Sequence, residues 1–406
     1  MHIRPILSSL LRHKIAAALI VLEIAITFAI ICNAVFLVAN RLERAAKPSG
    51  LVESNLLRIQ ITSVGASARQ NERAQTQVDL TALRELAGVK HATVTSQMPF
   101  GNSSTSSSVG LAPDFGRQVI SPSAYYVGED FLATTGLRLI AGRDFSPGEY
   151  VDATDVLERE PATAVPAIIL NRQTAERLFP GGQALGKSVG VYDSQTVVVG
   201  VVDELIPPNS ARSSAPFAMI LPMRVTHGRG EYLLRVEPGR QDDVLKAAVA
   251  TLNRVGPGRL VRAQQRFEVL RDRYFKQDMN MAILLGAVCA ALLVVTALGI
   301  VGLASFWVQQ RTRMIGTRRA LGATRGQIMR YFQTENLLLT GIGIVLGVGG
   351  AYAINQLLMT HYELARLPVV YLPVGAVLLV ALGQIAVFGP ARRAAALPPV
   401  AVMRGA

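Results

Sequence analysis

Apolar and polar positions are segregated along this chain into long separate blocks. Four stretches, 15–40, 279–306, 336–359 and 369–389, are almost wholly apolar. Each is about the ~20 helical residues needed to cross a bilayer core, or longer. The second (MNMAILLGAVCAALLVVTALGIVGLASF) and third (NLLLTGIGIVLGVGGAYAINQLLM) carry no charge, and the first carries one, Glu23. The pattern predicts a membrane α-helical protein with four transmembrane helices and one large domain, 41–278, between helices 1 and 2.

Inside that domain the period shortens and a repeat emerges. LLRIQIT (56–62), DLTALREL (79–86) and HATVTS (91–96) read as strand, helix, strand. EYLLRV (231–236), DDVLKAAVATLNRV (242–255) and RLVRAQ (259–264) read the same way. Segments 41–100 and 226–266 are therefore predicted to be a duplicated βαβ pair forming one α+β layer. Between them, 101–225 opens on GNSSTSSSVG, holds the apolar run VVVGVV (197–202) and is broken by PPNSARSSAP. It predicts an inserted β-rich subdomain, further from the membrane than the duplicated pair. FEVLRDRYFKQD (267–278) is amphipathic, lacks Gly and Pro, and runs straight into the second span. A helix from Phe267 to about Gln310 would measure ~65 Å and form a stalk.

Charge then orients the spans. The formal net charge is +13, which on its own would suggest a nucleic-acid partner. Segments 1–14, 307–335 and 390–406 hold twelve Lys/Arg and one acidic residue, whereas 41–278 holds 28 Lys/Arg against 25 Asp/Glu. The excess thus flanks the spans on one side, a topology signal rather than a polyanion-binding surface. It places a lead (1–14), a loop (307–335) and a tail (390–406) in the cytoplasm, and the 360–368 loop outside. Both ends are inside, and membrane lipids, not nucleic acid, are the expected surroundings. Residues 3–12 read either as a surface helix on the cytoplasmic face or as a short basic lead. The first apolar run is too long for a signal h-region and is read as an uncleaved span.

Polar residues in the spans have competing readings. Glu23 is a functional contact, a partner for another helix, or a carboxylate reaching toward the arginine-rich side; a buried membrane charge is costly in each case. Asn33 suits the same interface. In the glycine-rich third span, Gly343 and Gly347 have the spacing of close helix contact. Cys32 and Cys289 both lie in apolar runs and leave the outer domain without a disulfide framework.

No catalytic constellation emerges. Gly181–Ser188 (GGQALGKS) fits the phosphate-loop pattern, but that loop follows a strand and opens a helix. Here a helix-like run (RQTAERLF) and Pro180 come before it and a strand-like run after it, and Asp203 is the nearest candidate metal ligand. Nucleotide binding is rejected. The five histidines, His2, His13, His91, His227 and His361, have no ligand spacing. Serines 103–108 read as solvated loop. The chain is expected to be no enzyme, with no cofactor and no metal of its own.

The cytoplasmic loop RTRMIGTRRALGATRGQIMRYFQTE (311–335) resembles that of MacB/FtsX-type ABC transporter permeases. The tail PARRAAALPPVAVMR (390–404) is similar to the family's ending. DFLATTGLRLIAGRDF (130–145) and AIILNRQTAERLFPGGQALGKSV (167–189) resemble its periplasmic core. The resemblance implies a bacterial inner-membrane protein whose outer domain has a porter-like subdomain and a β-rich insertion. It implies a separate cytoplasmic ABC ATPase using ATP and magnesium, a second permease subunit in a homo- or heterodimer, and in some members a periplasmic adaptor and outer-membrane channel. The ATPase docks on the loop, through positions matching Arg311, Arg313, Ile315, Gly316, Arg318, Arg319, Ala320, Leu321, Gly322, Ala323, Gln327 and Ile328. The work implied is mechanical coupling, in efflux of a drug, peptide or lipid-like substrate. The alternative is an FtsX-like signalling or scaffold subunit that activates an envelope hydrolase or senses an antimicrobial. Met314 stands where the family has Glu, and Pro398 where it has an acidic residue. Both departures suggest altered coupling to the ATPase, as in one half of a heterodimer.

Overall fold

The computed structural model describes residues 14–64, 71–101, 104–111, 119–159, 163–192, 194–208, 216–362 and 366–396. The expected surface helix at 3–12 and Pro398 lie outside these residues. The chain divides into two compact units, one of residues 1–45 with 278–406 and one of residues 46–277.

Helix α1 (Lys14–Ala46) opens the described chain. Strand β1 (Leu56–Ser63), α2 (Glu72–Arg84) and β2 (Val89–Thr95) follow. The inserted stretch holds β3 (Gly110–Leu111), β4 (Ser123–Tyr126), α3 (Phe131–Thr135), β5 (Leu139–Gly142), β6 (Val151–Asp152) and α4 (Ala153–Leu157). It continues through β7 (Ala167–Asn171), α5 (Arg172–Leu178), β8 (Ser188–Val191), β9 (Ser194–Val202), β10 (Ala218–Leu221) and β11 (Met223–Arg224). The frame resumes with β12 (Glu231–Val236), α6 (Gln241–Val255) and β13 (Arg259–Arg266). Then come α7 (Phe267–Gln310), α8 (Thr312–Ala320), α9 (Arg325–Tyr362) and α10 (Tyr371–Ala396).

The two β-α-β units interleave. Their sheet runs β13-β1-β12-β2, antiparallel throughout, so each unit's strands are separated by a strand of the other. This is the split βαβ order of ferredoxin-like layers. Helix α2 begins seven residues earlier than its apolar signal predicts. Its first turn is polar and largely exposed, and only Thr76, Asp79, Leu80 and Leu83 are buried. The insertion forms a mixed sheet, β3-β8-β9-β7-β10-β4, with β5 also on β9. Residues of both sheets share one apolar cluster, from Leu57 and Leu234 to Ile168 and Met219. Frame and insertion are therefore one folded body with a common core.

A buried polar network ties the frame's helices to its sheet. Asp79 accepts from Tyr232 Oη at 2.6 Å and from Arg259 Nη2 at 3.0 Å, and the Arg259 and Asp79 side chains are both almost fully buried. Nearby, His227 Nε2 is 2.8 Å from Ser63 Oγ and Nδ1 is 3.0 Å from Thr76 Oγ1. Burial, aided by Arg259, lowers the His227 pKa. Glu231 is buried beside Arg58, and burial raises its pKa. The start of α7 is held in the same unit by an aromatic cluster. Phe100, at φ 64°, lies 5.8, 5.5 and 5.5 Å from the rings of Phe267, Tyr274 and Phe275. Arg271 covers Phe100 and pairs with Glu53 at 2.6 Å.

In the other unit, α1, α7, α9 and α10 are each long and apolar enough to cross a membrane. Helix α1 lies at the centre. Cβ atoms placed on Gly343 and Gly347 of α9 would fall 2.7 Å from Ile24 Cγ2 and 2.9 Å from the Ala25 carbonyl oxygen. A Cβ on Gly375 of α10 would meet Cys32 Sγ at 2.6 Å. Two polar pairs cross the same helix: Thr27 with Thr296 at 2.9 Å, and Asn33 Nδ2 donating to the Ala351 carbonyl at 3.0 Å. Glu23 is half-buried, with its carboxylate against Gly299 of α7, which has no side chain to exclude it.

Candidate functional site

The basic loop between the second and third spans is largely helical. Helix α7 runs on through Gln310, α8 covers Thr312–Ala320, and α9 starts at Arg325, well before its apolar run. Only 321–324 turns. Its sequence, LGAT, closes one helix and opens the next. Gly322 takes φ +95°, the left-handed position that ends helices at little cost only for glycine. The Gly322 N–H donates to Arg319 O at 3.1 Å and the Ala323 N–H to Arg318 O at 3.0 Å, the paired bonds of a Schellman ending. Thr324 then caps α9. Gln327 N donates to Thr324 Oγ1 at 3.3 Å and Thr324 N to Gln327 Oε1 at 2.9 Å, a reciprocal capping box. Two caps back to back make a fixed corner.

The corner's inner face is anchored. Ile315, Gly316 and Ile328 are buried, and Ile315 and Ile328 share an apolar cluster with Phe332, Ala391 and Ala394. Arg319 donates to the Ala395 carbonyl, and the Arg318 guanidinium lies 5.1 Å from the centre of the Tyr331 ring. Arg311 departs from the expected outward display of charge. Its Nη1 donates to both oxygens of Glu335, at 2.9 and 2.8 Å, and it covers the Trp307 ring at 5.2 Å. That residue is an anchor, and so are Ile315, Gly316 and Ile328.

The outer face is what remains: Arg313, Met314, Thr317, Ala320, Leu321, Gly322, Thr324, Arg325, Gly326, Gln327 and Arg330 are exposed. Leu321, at the turn, is 84 % exposed, an apolar side chain in a loop that also exposes Arg313, Arg325 and Arg330. Ala323 is half-buried behind it. Sequence reasoning missed Thr324, Tyr331, Glu335 and Trp307. The T-x-x-Q spacing would have found the cap, and Glu335 is the loop's single carboxylate.

Elsewhere, Gly181–Ser188 follows helix α5 and leads into strand β8, the reverse of a phosphate loop, and Asp203 pairs with Arg138 and Arg172. Among the described residues no group of three or more His, Cys, Asp or Glu is placed to hold a metal.

Comparison with known proteins places these features. The family model for the MacB-like periplasmic core domain matches residues 18–252, and that for the FtsX-like permease C-terminal matches 286–399. The macrolide export ATP-binding/permease protein MacB of Chromobacterium violaceum is 27 % identical over 290 residues, 69 % of this chain and 43 % of MacB. The chain thus spans less than half the length of that relative. The ABC transporter permease YknZ of Bacillus subtilis is 24 % identical over 418 residues, 99 % of this chain and 98 % of YknZ. Among solved structures, the periplasmic region of MacB from Actinobacillus actinomycetemcomitans is similar with a TM-score of 0.36 at 14 % identity, covering 57 % of this chain and 97 % of that one. The extracellular domain of YknZ gives a TM-score of 0.33 at 15 % identity, covering 51 % and 100 %.

Proposed function

This chain belongs to the MacB/FtsX-type ABC transporter permeases, multi-pass proteins of the inner membrane, and from that premise we propose that the α8–α9 corner is where its ATPase docks. The observation that carries the reading is the apolar tip residue Leu321, held out by two helix caps on an anchored base. An exposed apolar side chain on a fixed corner loses little conformational freedom when it enters a groove. The exposed arginines of the same loop, Arg313, Arg325 and Arg330, suit an acidic rim on a soluble partner. The partner is a cytoplasmic ABC ATPase, which supplies the ATP and magnesium chemistry.

Motion imposed on the corner reaches α7 through the Arg311–Glu335 joint. Helix α7 is one uninterrupted helix of 44 residues, about 66 Å at helical rise. Its first turns are clamped by Phe100, Arg271 and Glu53, and it is the element that carries displacement toward the periplasmic domain. The work is efflux of a drug, peptide or lipid-like substrate by a pair of permease subunits, with an adaptor and outer-membrane channel as further partners. Met314, exposed on α8 where relatives carry Glu, fits a heterodimer in which the second permease supplies that contact.

The test is ATP turnover by the reconstituted complex. Leu321→Asp leaves the permease folded, because the side chain touches solvent, and is expected to abolish the turnover that the permease stimulates. Stimulation equal to the unmodified complex would remove the corner from the mechanism.

A further inference from the structure

At the end of the helix bundle that carries the corner, several buried polar groups converge on one small cavity. Trp307, Glu335 and Asn336 line it, with Ile20, Ala304 and Phe332. Its volume is about 20 Å³. Trp307 Nε1 and Asn336 Nδ2 have no hydrogen-bond partner among the described residues. Their residues are 4 % and 6 % exposed. A buried donor without an acceptor costs about 1–3 kcal/mol, so two together call for an occupant.

The chemistry of the lining selects it. The unsatisfied side-chain atoms of the lining are both N–H donors, which a cation cannot satisfy. The Glu335 carboxylate is part of the wall, and its charge is already balanced by Arg311, which disfavours an anion. A lipid phosphate or ester is too large for the space. A cavity above about 10–15 Å³ holds a water when it offers two to four polar partners.

We propose that this cavity is a hydration site. Its water accepts from Trp307 Nε1 and Asn336 Nδ2, one donor from each of two helices. Gly383 of α10 keeps the site open: a Cβ there would lie 2.8 Å from Asn336 Nδ2 and 3.2 Å from Thr340 Oγ1. The water joins α7 to α9 beside the Arg311–Glu335 pair, so the joint is polar and exchangeable, able to re-form its bonds when the helices shift. The inference rests on the bundle alone and stands apart from the docking role of the corner.

Trp307 is the only tryptophan in the chain, so indole spectroscopy reads this site directly. The full chain in phospholipid nanodiscs is expected to show a hydrogen-bonded indole N–H by resonance Raman. Asn336→Leu removes one partner of the water, and Gly383→Ala pushes a methyl against the Asn336 amide. Both are expected to move the indole marker toward the free position and the fluorescence to the blue. Nanodiscs of ether-linked lipid, which lack ester carbonyls, are expected to leave the signal unchanged. A free indole in the unmodified protein would overturn the proposal. So would an indole marker indifferent to both substitutions, or a signal lost in ether lipid, which would assign the acceptor to a lipid carbonyl.

Discussion

Arg311 and Glu335, 24 residues apart, meet as a buried ion pair in which one guanidinium nitrogen serves both carboxylate oxygens, at 2.9 and 2.8 Å. The pair fastens the start of α8 to the body of α9. Arg318 on Tyr331 and Arg319 on the Ala395 carbonyl anchor the same helix α8 further along.

Breaking the pair from one side strands a buried charge. Glu335→Gln is expected to destabilise the helix bundle by about 3–5 kcal/mol. Replacing both partners, Arg311→Met with Glu335→Leu, is expected to recover most of that loss. Thermal unfolding in nanodiscs measures both. A single variant as stable as the parent would show that the pair is not holding the corner.

Gly322 sits at φ +95° with open space around the position of a Cβ. Gly322→Val therefore meets backbone strain and no clash, of about 1–2 kcal/mol. The expected result is a displaced tip: stimulated ATP turnover falls at least several-fold while the permease stays folded. Gly322→Asn, which tolerates the left-handed region, is expected to keep most of the activity. Equal turnover in the valine and asparagine variants would deny the cap its role.

Gly347 faces backbone as well as side chain, with the Ala25 carbonyl oxygen and Phe28 Cβ both 2.9 Å from a placed Cβ. Gly347→Leu must push α9 off α1. A loss of about 1–3 kcal/mol is expected, as for other overpacked interfaces. Gly349, which has nothing within 4 Å of a placed Cβ, is the control, and Gly349→Leu should leave the unfolding temperature unchanged.

Acid weakens the periplasmic domain through His227. Its folded pKa lies below the ordinary 6.5 because burial disfavours the imidazolium, with Arg259 adding to the effect and Asp79 and Glu72 opposing it. The unfolded chain therefore takes up the proton first. Stability from this group is complete above about pH 6.5 and declines as the pH falls toward the folded value. Glu231 acts in the opposite sense, since burial raises its folded pKa above 4.5 and the folded state then binds the extra proton. His227→Gln isolates the histidine: the variant is expected to lose less stability than the parent between pH 7.5 and about pH 5.5. Parallel pH profiles for the two proteins would contradict this.

Some of the corner was open to a reader of the sequence. A-L-G-A-T-R-G-Q contains a glycine to stop one helix and a T-x-x-Q box to start another, and both signals are local. The burial of Arg311 was not open in the same way. Six arginines in one loop look alike until α9 folds back and brings Glu335 to one of them. For the same reason the residues assigned to docking separate in the structure into an exposed tip and a buried base, although their spacing in the chain does not distinguish them.

The sequence by itself determined what depends on neighbours along the chain: four spans from the length of their apolar runs and the strand–helix–strand units from their periods; the caps at 321–324 are local in the same way, though sequence reasoning did not use them. Only the tertiary structure decided what depends on distant partners. It made α1 the axis against which Gly343, Gly347 and Gly375 close, threaded β12 between β1 and β2, and set Glu23 against Gly299. The physical reason is that caps and periodicity are energies of adjacent residues. Burial, pairing and close helix approach are energies of residues that the chain keeps far apart until it folds.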